Sequence, residues 1–178
     1  ILLKKREAKN ALELIDRALQ LEPDSWRTHA LRGAALMQLN RTSEATEHLE
    51  RAAELNPEGT KVRTHLAMGR LLSGDSDAAV EQLQIAIDQN PKSERPAAML
   101  GFLHLRRGEV QQALAVADRL LIEDPGNALA LNLRGGALLM QGDRPGARRA
   151  FEQALQLVPN YRPALSNLAR LGISEGRN

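Results

Sequence analysis

The chain has 178 residues, 43% apolar but only 2% aromatic, so alanine and leucine must fill its core. That composition argues against a sheet protein built on β-branched and aromatic side chains. Its 24 basic and 22 acidic residues leave a formal charge of +2, too even for a dedicated polyanion binder, and the lack of cysteine excludes thiol chemistry and cysteine-held zinc.

Five of the eight prolines, Pro23, Pro57, Pro91, Pro125 and Pro159, follow one another at intervals of 34 residues. The chain is one unit repeated, and each unit can be numbered so that its proline is position 32. In that register residues 6–23 predict the second helix of a unit whose first helix is mostly missing, with Ile1, Leu2 and Leu3 as its tail. Four complete helix pairs are expected at 26–59, 60–93, 94–127 and 128–161. Their internal turns fall at position 15, occupied by Asn40, Gly74, Gly108 and Gly142, residue types that tolerate the left-handed conformation ending a helix. Asp75, Glu109 and Asp143 come next, where a carboxylate suits the dipole of the following helix. Tyr161–Ser174 reads as a lone first helix with Leu165, Leu168 and Ala169 at its core positions, and the polar tail after it is expected to fray. The expectation is ten helices with short connections in a single array over 1–178: a partial repeat at 1–25, the four full repeats, and a capping helix at 162–178. No signal-peptide pattern and no apolar run near the ~18 residues of a membrane span occur. The first residue is not methionine, so the chain is expected to be a piece of a longer one.

The second helices carry the strongest pattern. Position 20 is Ala11, Ala45, Ala79, Ala113 and Ala147. Position 24 is Ile15, Leu49, Leu83, Ala117 and Phe151, and position 27 is Ala18, Ala52, Ala86, Leu120 and Ala154. Spacings of four and three put all three positions on one helical face. In the first helices, position 8 is Gly33, Ala67, Gly101, Gly135 and Ala169. Glycine inside a helix costs ~1 kcal/mol relative to alanine, so these glycines imply a close neighbour.

The 34-residue period, with a small residue at 8, alanine at 20 and 27, a large apolar residue at 24 and proline at 32, resembles the tetratricopeptide repeat along the whole chain. The resemblance implies an all-α fold, a right-handed α-solenoid (superhelix) of stacked antiparallel helix pairs. Two departures stand out. Position 4 is His29, Arg63, Ala97, Leu131 and Leu165 instead of an aromatic residue, and position 7, usually leucine, is Arg32 and Arg134 in two units. Both lead to the expectation of a thinner core.

The resemblance also implies a role: a non-catalytic scaffold that binds a partner protein or peptide segment in a concave groove lined by positions 2, 5, 9, 12 and 13 of the first helices. Those positions supply the candidate site residues Arg27, Lys61, Thr64, Met68, Leu72, Arg95, Phe102, Arg106, Asn132 and Met140. Arg27, Lys61 and Arg95 form a cationic row beside an apolar, methionine-containing floor, which fits an extended or helical segment with apolar anchors and some acidic character. The clamp for a C-terminal carboxylate found in chaperone-binding members is absent, because its positions hold Ala30 and Ala34, Thr64 and Met68, Ala98 and Phe102.

Enzyme chemistry finds no support. His29, His48, His65 and His104 lack metal-ligand spacing and read as partly exposed helix histidines. Arg134-Gly135-Gly136 sits in a helix and is no phosphate loop. No catalytic residue, cofactor or metal is assigned. A nucleic-acid-binding helical repeat is the alternative, opposed by the even charge and the lack of stacking aromatics. An accessory module of a larger enzyme is another. The run 135–171 is also similar to repeats of bacterial lipoproteins of the PEP-CTERM/exosortase protein-sorting and exopolysaccharide systems. That likeness implies the periplasm or envelope in preference to the cytoplasm. Self-association is expected through an apolar N-terminal edge of Ile1, Leu2, Leu3 and Leu12.

Overall fold

The computed structural model describes the backbone of residues 2–174 and the side chains of residues 7–173. Ile1 and the side chains of Leu2 and Leu3, expected to form part of the N-terminal edge, lie outside the described residues, as does the tail beyond Ser174. The described residues form ten helices and no strand. They divide into two compact units, Ile1–Ser93 and Glu94–Asn178. The first holds α1 (Leu2–Leu21), α2 (Trp26–Gln38), α3 (Thr42–Leu55), α4 (Thr60–Leu72) and α5 (Ser76–Gln89). The second holds α6 (Glu94–Arg107), α7 (Val110–Glu123), α8 (Ala128–Met140), α9 (Arg144–Leu157) and α10 (Arg162–Ser174). Within each unit every helix packs against the next one in the chain. The fold is all-α, an α-solenoid of antiparallel helix pairs.

The turns form where the sequence places them. Asn40, Gly74, Gly108 and Gly142 have φ of 61°, 84°, 75° and 87°. The amide after each donates back across the turn, as Asp143 does to the Leu138 carbonyl at 2.9 Å, which closes the helix end. The next helix is then capped by Asp75, which accepts from the Ala78 amide at 3.1 Å, and by Asp143, which accepts from the Gly146 amide at 2.9 Å. Glu109 stands at the same place without capping. Its side chain accepts instead from His104 Nδ1 at 2.5 Å and Arg107 Nε at 2.8 Å. The His104 hydrogen bond, foremost, holds the Glu109 carboxyl below its ordinary value.

The chain begins with a single helix: α1 runs without a break from Leu2 to Leu21, so the remnant of the missing first helix is continuous with the second, as the expected total of ten helices requires. The reason is local. Position 15 of this first unit is Arg6, where each complete unit has Asn or Gly, so nothing there favours the left-handed turn. The exposed N-terminal edge is corrected at Leu12, which is only 8% exposed and packs with Ala35, Leu36 and Ala45.

The core is built from the faces predicted for the second helices. Ala45, Leu49 and Ala52 in α3, Ala79, Leu83 and Ala86 in α5, and Ala147, Phe151 and Ala154 in α9 are all fully buried. The glycines of the first helices meet them. A Cβ on Gly33 would lie 2.5 Å from Leu49 Cγ, and one on Gly135 would lie 2.5 Å from Phe151 Cε1. In the 94–127 repeat, Ala117 is too small to reach Gly101, and Leu133 of α8 occupies that space together with Val116.

At position 7 two repeats give up a buried leucine for an arginine that pairs near the surface, with 27% of the Arg32 and 47% of the Arg134 side chain in solvent. Arg32 NH2 meets Asp16 of α1 at 3.1 Å, and Arg134 Nε meets Asp118 of α7 at 3.5 Å. In both cases an arginine reaches the aspartate at position 25 of the preceding repeat. The other repeats keep leucine at position 7, with Leu66 4% and Leu100 3% exposed.

α10 packs through Ala164, 0% exposed, and Leu171, 1% exposed, with Leu168 against the α8–α9 core. Leu165 is 45% exposed and Ala169 is exposed, contrary to their expected core role. Their positions, 4 and 8, face the second helix of their own pair in the complete repeats, and among the described residues α10 has none.

Candidate functional site

The candidate residues lie on first helices, and their exposure is uneven. In unit one, Lys61, Thr64, Met68 and Leu72 are three, four and four residues apart, so they share one face of α4. Lys61 is exposed, Met68 half-buried and Leu72 61% exposed. Thr64 is corrected: it is 4% exposed and its hydroxyl donates to the Thr60 carbonyl at 2.7 Å, so it offers no free polar group. Arg27 on α2 is exposed, with its guanidinium carbon 4.7 Å from the centroid of the Trp26 ring, a contact that holds the charge near the helix start.

In unit two, Arg95, Phe102 and Arg106 share one face of α6. Both arginines are exposed and Phe102 is 37% exposed. Arg106 sits in the last turn with His104 and Arg107, where cations complement the helix dipole. On α8, Asn132 and Met140 lie eight residues apart on one face, and Met140 is 50% exposed. Asn132 is corrected in the same way as Thr64: it is 3% exposed and its Oδ1 accepts from Asn167 Nδ2 of α10 at 3.0 Å. Between the two faces Leu105 lies over Gly136, where a Cβ would stand 3.1 Å from Leu105 Cδ1. In unit two exposed Arg95 and Arg106 thus flank Phe102 on one face of α6, in unit one Lys61 and Leu72 stand at opposite ends of α4, and the position 5 residues Thr64 and Asn132 serve the interior.

Sequence reading missed a second constellation. Position 4 of a first helix meets position 23 of its own second helix and reaches back to the carbonyl of the preceding proline. In the 60–93 repeat, Arg63 NH1 donates to Gln82 Oε1 at 2.8 Å and Arg63 Nε to the Pro57 carbonyl at 3.1 Å. In the 26–59 repeat the same places hold His29 and His48, with Nδ1 atoms 2.9 Å apart and His29 Nε2 2.9 Å from the Pro23 carbonyl. In unit two the equivalents are apolar: Ala97 with Val116, and Leu131 with Ala150. The histidines are thus a structural pair and not isolated surface residues. Comparing positions 4 and 23 together, instead of one column at a time, would have exposed the pattern.

Tetratricopeptide-repeat models match residues 1–70, 66–127 and 99–162, which is most of the chain. The chain belongs to the tetratricopeptide-repeat family. Arrays of this family are in general protein-interaction scaffolds and not catalysts. Over 73 residues this array is 38% identical to a tetratricopeptide repeat and J domain-containing co-chaperone of Fusarium oxysporum, a match covering 41% of this chain and 14% of that protein's length. Among solved structures, a tetratricopeptide repeat protein of Parabacteroides merdae superposes with a TM-score of 0.87 at 16% identity, over 98% of this chain and 70% of that one. YrrB, described as having an unusual peptide-binding site, gives 0.77 at 21% identity over 92% and 84% of the two chains. MamA gives 0.78 at 23% identity over 86% and 90%. These likenesses establish the fold of the array. No helix among the described residues is long and apolar enough to cross a membrane, and no three of its histidines or carboxylates are placed to hold a metal ion.

Proposed function

We propose that each unit of this array binds a segment of a partner protein on its first-helix faces. The observation that carries the reading is the exposure of Leu72, Phe102 and Met140, at 61%, 37% and 50%, on first helices, with exposed Arg95 and Arg106 on the Phe102 face. Large apolar side chains left in water on a scaffold serve as anchors, and a neighbouring cation selects an acidic flank. Lys61 and Leu72 would do this on α4, and Arg95, Arg106 and Phe102 on α6, with Arg27, Met68 and Met140 adding contact. The peptide-binding site named for YrrB, a protein of similar fold, supports the choice of ligand class.

The test is selection from a displayed random-peptide library on the immobilised chain. The account expects segments combining large apolar and acidic residues, lost when Leu72 and Phe102 are both replaced by aspartate. Recovery of peptides indifferent to those replacements and to Lys61→Glu would contradict it.

For the pathway, the likeness of residues 135–171 to repeats of the exosortase-associated lipoproteins supports a place in bacterial exopolysaccharide assembly or envelope protein sorting. Unchanged exopolysaccharide export and protein sorting after deletion of the encoding gene would remove that reading. For self-association, the exposed apolar residues of α1 are Leu14 at 66% and Leu21 at 85%, and they, not the buried Leu12, would form the contact.

A further inference from the structure

His29 on α2 and His48 on α3 meet nitrogen to nitrogen. Their Nδ1 atoms are 2.9 Å apart, their ring centroids 5.2 Å apart, and their planes inclined by 27°. The centroid separation exceeds the nitrogen separation by about two ring radii, so the nitrogens face each other along the line joining the rings. The rings are therefore head to head and not stacked face on face. A metal ion would need the two lone pairs to converge on a third point. Here each lone-pair direction runs into the other nitrogen, and what fits between them is a proton.

The rest of the proton inventory follows from chemistry. His29 Nε2 faces the Pro23 carbonyl, which can only accept, so that nitrogen carries hydrogen. Neutral His29 then presents a bare Nδ1, and His48 donates its Nδ1–H to it. One additional proton is accommodated, either on His48 Nε2 or on His29 Nδ1 with His48 changing tautomer. A second additional proton sets N–H against N–H and two positive rings against each other.

We propose that His29 and His48 form an acid-sensitive latch on the 26–59 helix pair, closed while the pair holds at most one extra proton and opened when both rings are charged. The groups around it bias it toward opening in acid. Burial, first, and then Arg32 and His29 on α2 hold His48 below its ordinary value, while Asp16 on α1 and Glu44 on α3 oppose them more weakly. The unfolded chain therefore binds more protons than the folded one once the pH falls below about 6.5, the ordinary histidine value. Stability contributed by the neutral pair is complete above that pH. It is lost as the pH drops from there through the lowered folded value of His48. The equivalent Arg63–Gln82 pair contains no imidazole.

That equivalence supplies the test. The double substitution His29→Arg with His48→Gln transplants the Arg63–Gln82 pair into the first complete repeat. Between about pH 7.5 and pH 5, the wild-type Tm should fall by about 2–4 °C more than that of the double variant. Equal slopes would overturn the latch. A second measurement stands whether or not the variant folds: the ¹⁵N resonances of the wild-type imidazoles. The latch requires two separated macroscopic steps, each seen at both rings. Two independent single-step titrations at the ordinary histidine value would overturn it.

Discussion

The Phe151 ring lies so close to Gly135 that a Cβ there would stand 2.5 Å from Cε1 and 2.7 Å from Cδ1. The first helix of the 128–161 repeat thus approaches its partner through a bare backbone. Gly135→Ala should destabilise by about 1–3 kcal/mol through overpacking, although alanine is the better helix former by about 1 kcal/mol. Ala67 and Leu83, both fully buried, hold the same two positions in the 60–93 repeat. Adding Phe151→Leu to Gly135→Ala should therefore recover most of the loss in urea denaturation. A double variant no better than the single one would show that the contact is not what limits alanine at 135.

Arg32 and Asp16 make a half-exposed ion pair, with 27% and 46% of their side chains in solvent. Such pairs contribute little, so Asp16→Ala should cost no more than about 1 kcal/mol. Arg32→Leu restores the residue that Leu66 and Leu100 supply, nearly buried, at the same position. In that background Asp16→Ala should cost nothing further, and a double-mutant cycle in urea measures the difference. A cost unchanged by Arg32→Leu would mean that Asp16 acts through something other than the arginine.

Asp143 caps α9 through the Gly146 amide. Asp143→Ala should lose about 0.5–2 kcal/mol. Gly142→Ala, immediately before it, should cost about 1–2 kcal/mol, because φ there is 87° and alanine resists that conformation. Thermal unfolding of each variant checks both values, and Glu109→Ala, at a position that does not cap, should leave α7 without any corresponding cap loss.

The His104–Glu109 contact predicts a second acid limb, below that of the histidine pair. The Glu109 carboxyl is lowered from 4.5, first by the His104 hydrogen bond and also by Arg107, with burial opposing. A lowered folded value means that the stabilisation is present above the ordinary carboxylate pH. It disappears as the pH falls from there through the folded value. The Tm difference between wild type and Glu109→Gln should shrink over that acidic interval. A constant difference would contradict the assignment.

The repeat register was legible because a 34-residue period multiplies each weak signal. Alanine at position 20 means little once and a great deal five times over. What could not be read were features that depend on which partner a position meets. Leu165 and Ala169 have core identities but stand in solvent because, among the described residues, no second helix covers them. Leu12 looked like an edge and is covered by α2. Arg32 and Arg134 could be read as losses from the core, but not as partners of Asp16 and Asp118 in the preceding repeats. Among the site candidates, helix phase put Lys61, Met68 and Leu72 on one face of α4, but phase alone could not show that Thr64 and Asn132 spend their polar groups inside the protein.

The central claim is that partner segments lie on the first-helix faces, and backbone and methyl chemical-shift mapping with a library-selected peptide tests it most directly. The account predicts perturbations at Lys61, Met68 and Leu72 on α4, and at Arg95, Phe102, Arg106 and Met140 on α6 and α8. Perturbations confined to the exposed apolar residues of the second helices, Leu14, Ile122 and Leu157, would contradict it.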